Sequence, residues 1–403
     1  MTRYLFLLFL LGSIAFSSRA VNAQQFSVLY NLTGAPDGAL PYAGLFRDSA
    51  GNLYGTTIMG GAGTCYNGIV HGCGTVFKVD SSGTETVLHS FTGNPDGEYP
   101  WGAVIEDSSG NLYGTTLEGG VFDAGTVFKL DPTGNETIVH SFSGIPDGAN
   151  PYGALIRDTA GNFYGTTSLG GSAGCGGSGG CGTVYKVNPN GSEKVLHSFT
   201  GGTDGMNPYG SLSRDTSGNL YGTTYGGGAG CLNGCGTVFK IDDAGKETIL
   251  YSFRDVPDGS GPEAGVVRDS SGNLYGTTVI GGNIDCQGPC GTVFKIDPSG
   301  IESILYRFKG RLDGQWPDAS LILDSRGNLY GTTFQGGNGA GSVFRISAAG
   351  YFGTIYDFAS GDAGPYFSAL VRDSAGNLYG TTSGFGGTQC VGGCGTVFEI
   401  RLH

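Results

Sequence analysis

Gly51-Asn52-Leu53-Tyr54-Gly55-Thr56-Thr57 recurs almost letter for letter from Gly110, Gly161 (with Phe163 in place of Leu), Gly218, Gly272, Gly327 and Gly376. Seven copies at intervals of 59, 51, 57, 54, 55 and 49 residues make this 403-residue chain a seven-unit repeat. A period of that length signals one supersecondary unit per copy.

Working outward from the third copy gives the unit. Leu155-Ile156-Arg157-Asp158 leads through Thr159-Ala160-Gly161-Asn162 into Phe163–Thr167. Asp-x-x-Gly-Asn between two β-prone runs reads as a hairpin of two strands, A and B. A glycine-rich connection follows, then 182–187 as strand C, a turn at Asn188-Pro189-Asn190-Gly191, and 193–199 as strand D. Four antiparallel strands in 50–60 residues is the measure of a β-propeller blade. The expected fold is therefore all-β, a seven-bladed propeller.

Length varies in one place. From the glycine opening strand C (74, 125, 182, 236, 291) to the next hairpin glycine is 36 residues each time, and 35 from Gly341 to Gly376. The B–C connection absorbs the rest, which marks it as a loop region carried on a rigid frame. The ends predict how the ring closes. Residues 26–32 form a D-type strand with no A, B or C before it, and the last unit stops after its C strand, near Ile400. The orphan D strand should complete the last blade and remove the open edges.

Composition agrees with this reading. Gly is 79 of 403 residues without a three-residue period, which excludes collagen. Hydrophobics at 38% supply a core. Arg3 followed by an apolar run from Leu5 to Phe16, with small residues before a cut at Ala23, reads as a secretory signal peptide over residues 1–23. The expected domain is then 24–403, secreted to the periplasm or beyond. Without Arg3 and Arg19, 19 basic residues face 34 acidic ones, a charge of −15 with His neutral. That surface repels polyphosphates, so nucleic acid and anionic membranes are not the expected partners. No cofactor is implied; calcium is compatible with the acidic balance.

Asp107–Asp131, with its Asp-x-x-Gly-Asn-Leu-Tyr-Gly-Thr-Thr, Gly-Gly and Gly-Thr-Val-Phe-Lys-Leu-Asp, resembles the tandem repeat of the secreted bacterial GloVer, or choice-of-anchor, family. More loosely it is similar to the repeats of two-component regulator propellers. The resemblance spans residues 26–403. It implies an exported, surface-associated propeller and carries no catalytic residues. Family members typically end in a surface anchor; this sequence departs from that, ending at His403.

The ten cysteines fall as Cys65/Cys73, Cys175/Cys181, Cys231/Cys235, Cys286/Cys290 and Cys390/Cys394, always two or none per B–C connection. Local disulfides that restrain long glycine loops fit better than metal sites, because no further His or Cys recurs beside the pairs. His89, His140 and His197 share one repeat position with Tyr30, Tyr251, Tyr306 and Tyr356, which reads as a packing site with a polar tip. The hairpin aspartates (Asp48, Asp107, Asp158, Asp215, Asp269, Asp324, Asp373) read as turn chemistry rather than calcium ligands.

Six of the D–A connections carry Asp-Gly and then Pro, the seventh carries Pro365 without that pair, and the residue after the Pro is Tyr42, Trp101, Tyr152, Tyr209, Glu263, Asp318 and Tyr366 around the ring. In a propeller these positions should circle the channel mouth on the B–C face. Five aromatics with two symmetry-breaking acids suit a sugar, while a residue class shared by five of seven positions favours rings that only shape the links. The leading expectation is a monomeric, non-enzymatic binding propeller for a polysaccharide, glycoconjugate or protein. A carbohydrate-active hydrolase or lyase working through Glu263 and Asp318 is the alternative, and a structural envelope or matrix protein the third.

Overall fold

The computed structural model describes residues 24–65, 71–173, 175, 179–232, 234–282, 290–311, 313–359, 364–384, 390 and 393–402. The expected signal peptide, residues 1–23, lies outside them, as does Cys286. The described residues form seven four-stranded antiparallel sheets, each ordered A-B-C-D. In the first blade these are Phe46–Arg47, Leu53–Thr57, Thr75–Val79 and Glu85–Ser90. In the last they are Val371–Arg372, Leu378–Thr382, Thr396–Arg401 and the N-terminal strand Gln25–Asn31. That N-terminal strand pairs antiparallel with Thr396–Arg401, Phe26 against Ile400, so the ring closes between the two ends of the chain.

Each letter of the repeated heptapeptide has a job in this geometry. Asp48 accepts bonds from the Asn52 backbone N–H (2.8 Å), the Asn52 side-chain amide (2.6 Å) and the Tyr54 hydroxyl (3.2 Å). The expected turn chemistry is what the aspartate does. Leu53 is buried. Gly55 lies under the Phe77 ring, and a Cβ there would sit 2.5 Å from it. Thr56 donates across the blade interface to the Gly102 carbonyl (3.2 Å), and Thr57 pairs with Thr75 at the loop end of the sheet (2.8 Å). The motif repeats because it builds the hairpin, seats the core aromatic and ties each blade to the next.

Strand A is shorter than expected, pairing over two residues rather than four. The small residues before it lie against the neighbouring blades instead. A Cβ on Gly153 would come within 3.0 Å of the Gly210 backbone, and one on Gly44 within 3.0 Å of Ala369. Converging innermost strands leave no room for side chains near the axis. The core lies between blades: Val76 and Phe91 of one pack with Leu112, Phe128 and Leu130 of the next. Each fully buried Phe contributes roughly 2–3 kcal/mol by transfer.

A second lock sits at the loop end. Gly74 opens strand C at φ +98° beneath Pro100 of the following link, where a Cβ would lie 2.6 Å from the proline ring. Only glycine fits that turn and that contact. The pairs Gly125/Pro151, Gly182/Pro208, Gly236/Pro262, Gly291/Pro317 and Gly395/Pro41 repeat it.

Candidate functional site

The D–A links and B–C loops emerge together, as bridges between Ala39 and Met59, Ala149 and Leu169, and Gln315 and Gln335 demonstrate. Disulfides join Cys65–Cys73, Cys175–Cys181, Cys231–Cys235 and Cys390–Cys394 within these loops. Cys290 is also disulfide-bonded. Cys73, Cys181, Cys290 and Cys394 are completely buried, so each staple anchors its loop in the interblade core.

On the axis is a cavity of about 960 Å³. All seven positions singled out after the link prolines line it: Tyr42, Trp101, Tyr152, Tyr209, Glu263, Asp318 and Tyr366. The aromatics do not pack separately under their prolines. They meet edge to face, with centroid distances of 4.9 Å for Tyr366–Tyr42, 5.0 Å for Tyr42–Trp101, 5.2 Å for Trp101–Tyr152 and 5.0 Å for Tyr152–Tyr209. The result is a continuous five-ring wall open at blades five and six, where the acids stand.

Sequence reasoning missed two members of the wall. Tyr225 packs on Tyr209 (5.7 Å), and Phe367 on Tyr366 (4.4 Å) and Trp101 (6.1 Å). A signal existed for Tyr225: the residue after Gly-Thr-Thr is Ile58, Leu117, Ser168, Val279 and Ser383 elsewhere, so the aromatics at Tyr225 and Phe334 break the repeat. Phe334 indeed packs against Tyr366 at 4.6 Å.

The acids are unusual. Burial raises Glu263 to about 7. Asp318 is 3% exposed, and burial together with Glu263 holds its carboxyl well above the usual range. The amides of Asp318 and Phe367 lower it somewhat, yet neither makes a hydrogen bond of normal geometry, and both carboxylate oxygens are buried without a partner. Tyr209 is pushed up to about 12 by burial, with Tyr152 and Glu263 adding to it.

The shared His/Tyr position is a polar tip as expected, and its partner is the aspartate of the Asp-Gly pair in the link that follows. Tyr30 donates to Asp37 (3.0 Å) and Tyr251 to Asp258 (2.9 Å), while His89, His140 and His197 lie 3.4, 3.3 and 3.7 Å from Asp96, Asp147 and Asp204. A glutamate from the next blade adjoins several of these aspartates. Burial, then the aspartate charge, raises Glu85, Glu193, Glu247 and Glu302 to about 7. His89/Asp96/Glu136 and His197/Asp204/Glu247 gather ligand atoms within 4.8 Å, a donor set that suits a divalent transition-metal ion. The acid pair recurs where Tyr replaces His, at Asp37/Glu85 and Asp258/Glu302, so it belongs to the blade interface with or without a histidine.

A seven-bladed all-β propeller with a stapled loop face and an aromatic-lined axial cavity is the class this structure defines. Residues 15–177, 62–282 and 229–403 match the Gloeobacter/Verrucomicrobia repeat, and the chain belongs to that family. No curated protein matches it. Among solved structures it is similar to the extracellular domain of a candidate one component system, BT4673, from B. thetaiotaomicron (TM-score 0.56, 11% identity, 93% of this chain and 40% of that one). The chain thus spans less than half the length of that extracellular domain. It is also similar to a candidate 6-phosphogluconolactonase from Bacteroides uniformis (TM-score 0.53, 14% identity, 84% of this chain and 98% of that one). At these identities the likeness is one of fold. No helix among the described residues is long and apolar enough to cross a membrane.

Proposed function

We propose that this chain is a ligand-binding propeller that takes a glycan at the loop-rich mouth of its axial channel. The observation that carries the reading is the aromatic wall from Tyr366 to Tyr209 around a 960 Å³ cavity with two acids in its gap. Ring surfaces suit the apolar faces of sugars, and buried carboxyls suit their hydroxyls. Local disulfides in the loops support export to an oxidising compartment. The acidic balance of the chain supports a partner other than nucleic acid.

The test is titration of residues 24–403 with a panel of soluble oligosaccharides, reading tryptophan fluorescence. Saturable binding that Trp101→Ala weakens at least tenfold is the expected result. Absence of binding across the panel refutes the glycan and leaves a protein partner or a structural role.

One observation favours a second reading, that of a carbohydrate-active hydrolase or lyase. Glu263, raised to about 7, adjoins a second carboxyl and has the poise of a general acid at neutral pH. Products released from a bound oligosaccharide, and lost in Glu263→Gln, would establish it.

A further inference from the structure

Two charged residues other than the acids line the channel, Arg214 and Arg268. Their guanidinium groups lie over the Tyr164 and Tyr221 rings, 5.5 and 5.8 Å from the centroids, close to the hairpin glycines Gly218 and Gly272. They are engaged at the hairpin end of their strands. No cation contributes to the shift of Glu263 or Asp318. Among the described residues, the gap in the aromatic wall therefore holds two neighbouring carboxyls with no cation against them. One of the two, Asp318, is almost wholly buried, with both oxygens unpartnered on the wall of a cavity.

Buried acceptors need donors, and buried carboxylates need positive charge. Neutral sugar hydroxyls supply donors alone. A quaternary ammonium supplies charge alone. An –NH3+ group supplies both, and the adjoining rings add a cation–π attraction. The chain as a whole is acidic, with a net charge of −13, so its field draws such a ligand in.

We infer that the channel mouth recognises a ligand carrying a primary ammonium group, an amino sugar within a glycan, seated at the Glu263–Asp318 gap. The inference rests on the glycan reading above and narrows its substrate class. Because the acids must ionise to hold the cation, affinity rises with pH through the range near 7 where Glu263 titrates. The groups facing Glu263 and Asp318 (Tyr209, Tyr225 and Tyr366) all have hydroxyls raised above their usual range and stay neutral there.

The experiment titrates residues 24–403 at pH 6.5 with a tetramer of glucosamine, the same tetramer N-acetylated, and cellotetraose. Butylammonium and choline run alongside as charge probes, and butylammonium is repeated at pH 5 and pH 8. The expected result is at least tenfold tighter binding of the free-amine tetramer. Asp318→Asn and Glu263→Gln should abolish that preference while Trp101→Ala weakens all three glycans together. Butylammonium should outbind choline and bind more tightly at pH 8 than at pH 5. Equal binding of the three tetramers overturns the ammonium inference and leaves the glycan reading standing. Binding of butylammonium, lost in Asp318→Asn, with no glycan bound, sustains the ammonium site and refutes the glycan. Choline binding as tightly as butylammonium overturns the requirement for N–H donors. Melting curves of each variant establish that it is folded.

Discussion

The Thr381 hydroxyl donates to the Pro41 carbonyl at 2.9 Å, joining residues 340 positions apart and closing the ring where the two ends of the chain meet. Ala43 and Ser368 share the same hydroxyl, at 3.3 and 2.8 Å. The equivalent threonines, such as Thr56 on Gly102 and Thr166 on Gly210, tie consecutive blades. Among these threonines, Thr381 is the one that ties the last blade to the first. Thr381→Val should destabilise the ring by about 1–3 kcal/mol, since a buried carbonyl loses its donor. Denaturant unfolding checks this, and an unchanged midpoint would mean that strand pairing and the packing of Leu45 and Phe77 on Tyr379 and Val397 secure the closure without the hydroxyl.

Tyr185 occupies the place that Phe77, Phe128, Phe239, Phe294, Phe344 and Phe398 hold in the other blades, and its hydroxyl is buried without a partner. Tyr185→Phe removes that orphan and should stabilise by about 1 kcal/mol. A rise in melting temperature is the expected reading; a fall would reveal a hydrogen bond to the hydroxyl in solution.

The half-buried glutamates at the blade interfaces give the fold a pH optimum on the acid side. Glu85, Glu193, Glu247 and Glu302 have carboxyls raised to about 7, so the folded state holds more protons than the unfolded chain from about pH 4.5 to 7. Their contribution is fully present below that window and is lost as pH rises through it. The hairpin aspartates act oppositely. At Asp107, burial is outweighed by hydrogen bonds from Asn111, Ser109 and Tyr113, which bring the carboxyl down to about 2. That stability is lost only in strong acid. Melting temperature should therefore peak near pH 5 and fall toward pH 8. Replacing all four glutamates by Gln should flatten the alkaline limb.

Asp318 should be retained at a cost to stability. Asp318→Asn removes a buried carboxyl whose ionisation the fold resists, so its melting temperature should exceed that of the parent, increasingly so toward pH 9. A residue whose removal strengthens the fold while weakening ligand binding belongs to a site rather than to the scaffold.

The disulfides close loops of only 4 to 8 residues, so each restrains its own loop rather than the ring. Replacing Cys65 and Cys73 by Ser should cost about 2–3 kcal/mol at most. The β-sheet signal in circular dichroism should persist, with proteolysis entering at that B–C loop first.

Much of this was legible in the chain because it is local. Asp48 bonds a residue four positions on, Gly55 lies one strand from Phe77, and the cysteine pairs close their own loops. The Asp-Gly aspartates were less readable. Asp37 looks like any turn residue, and nothing nearby shows that Tyr30 caps it while Glu85 adjoins it from the next blade. The same holds for Phe367, whose contact with Trp101 spans more than half the chain.

Seven copies of one heptapeptide, an orphan strand at the start and a missing one at the end determine the number of blades, their order and their closure. Turn chemistry and β-periodicity are set by neighbours in sequence, so they need no tertiary knowledge. The site is decided otherwise. Glu263 and Asp318 depart from an aromatic position, but a departure acquires meaning only through what it faces across the axis. Ring closure brings Tyr366 onto Tyr42 and leaves the acids in the one gap of the wall, where burial without a counter-charge changes their chemistry.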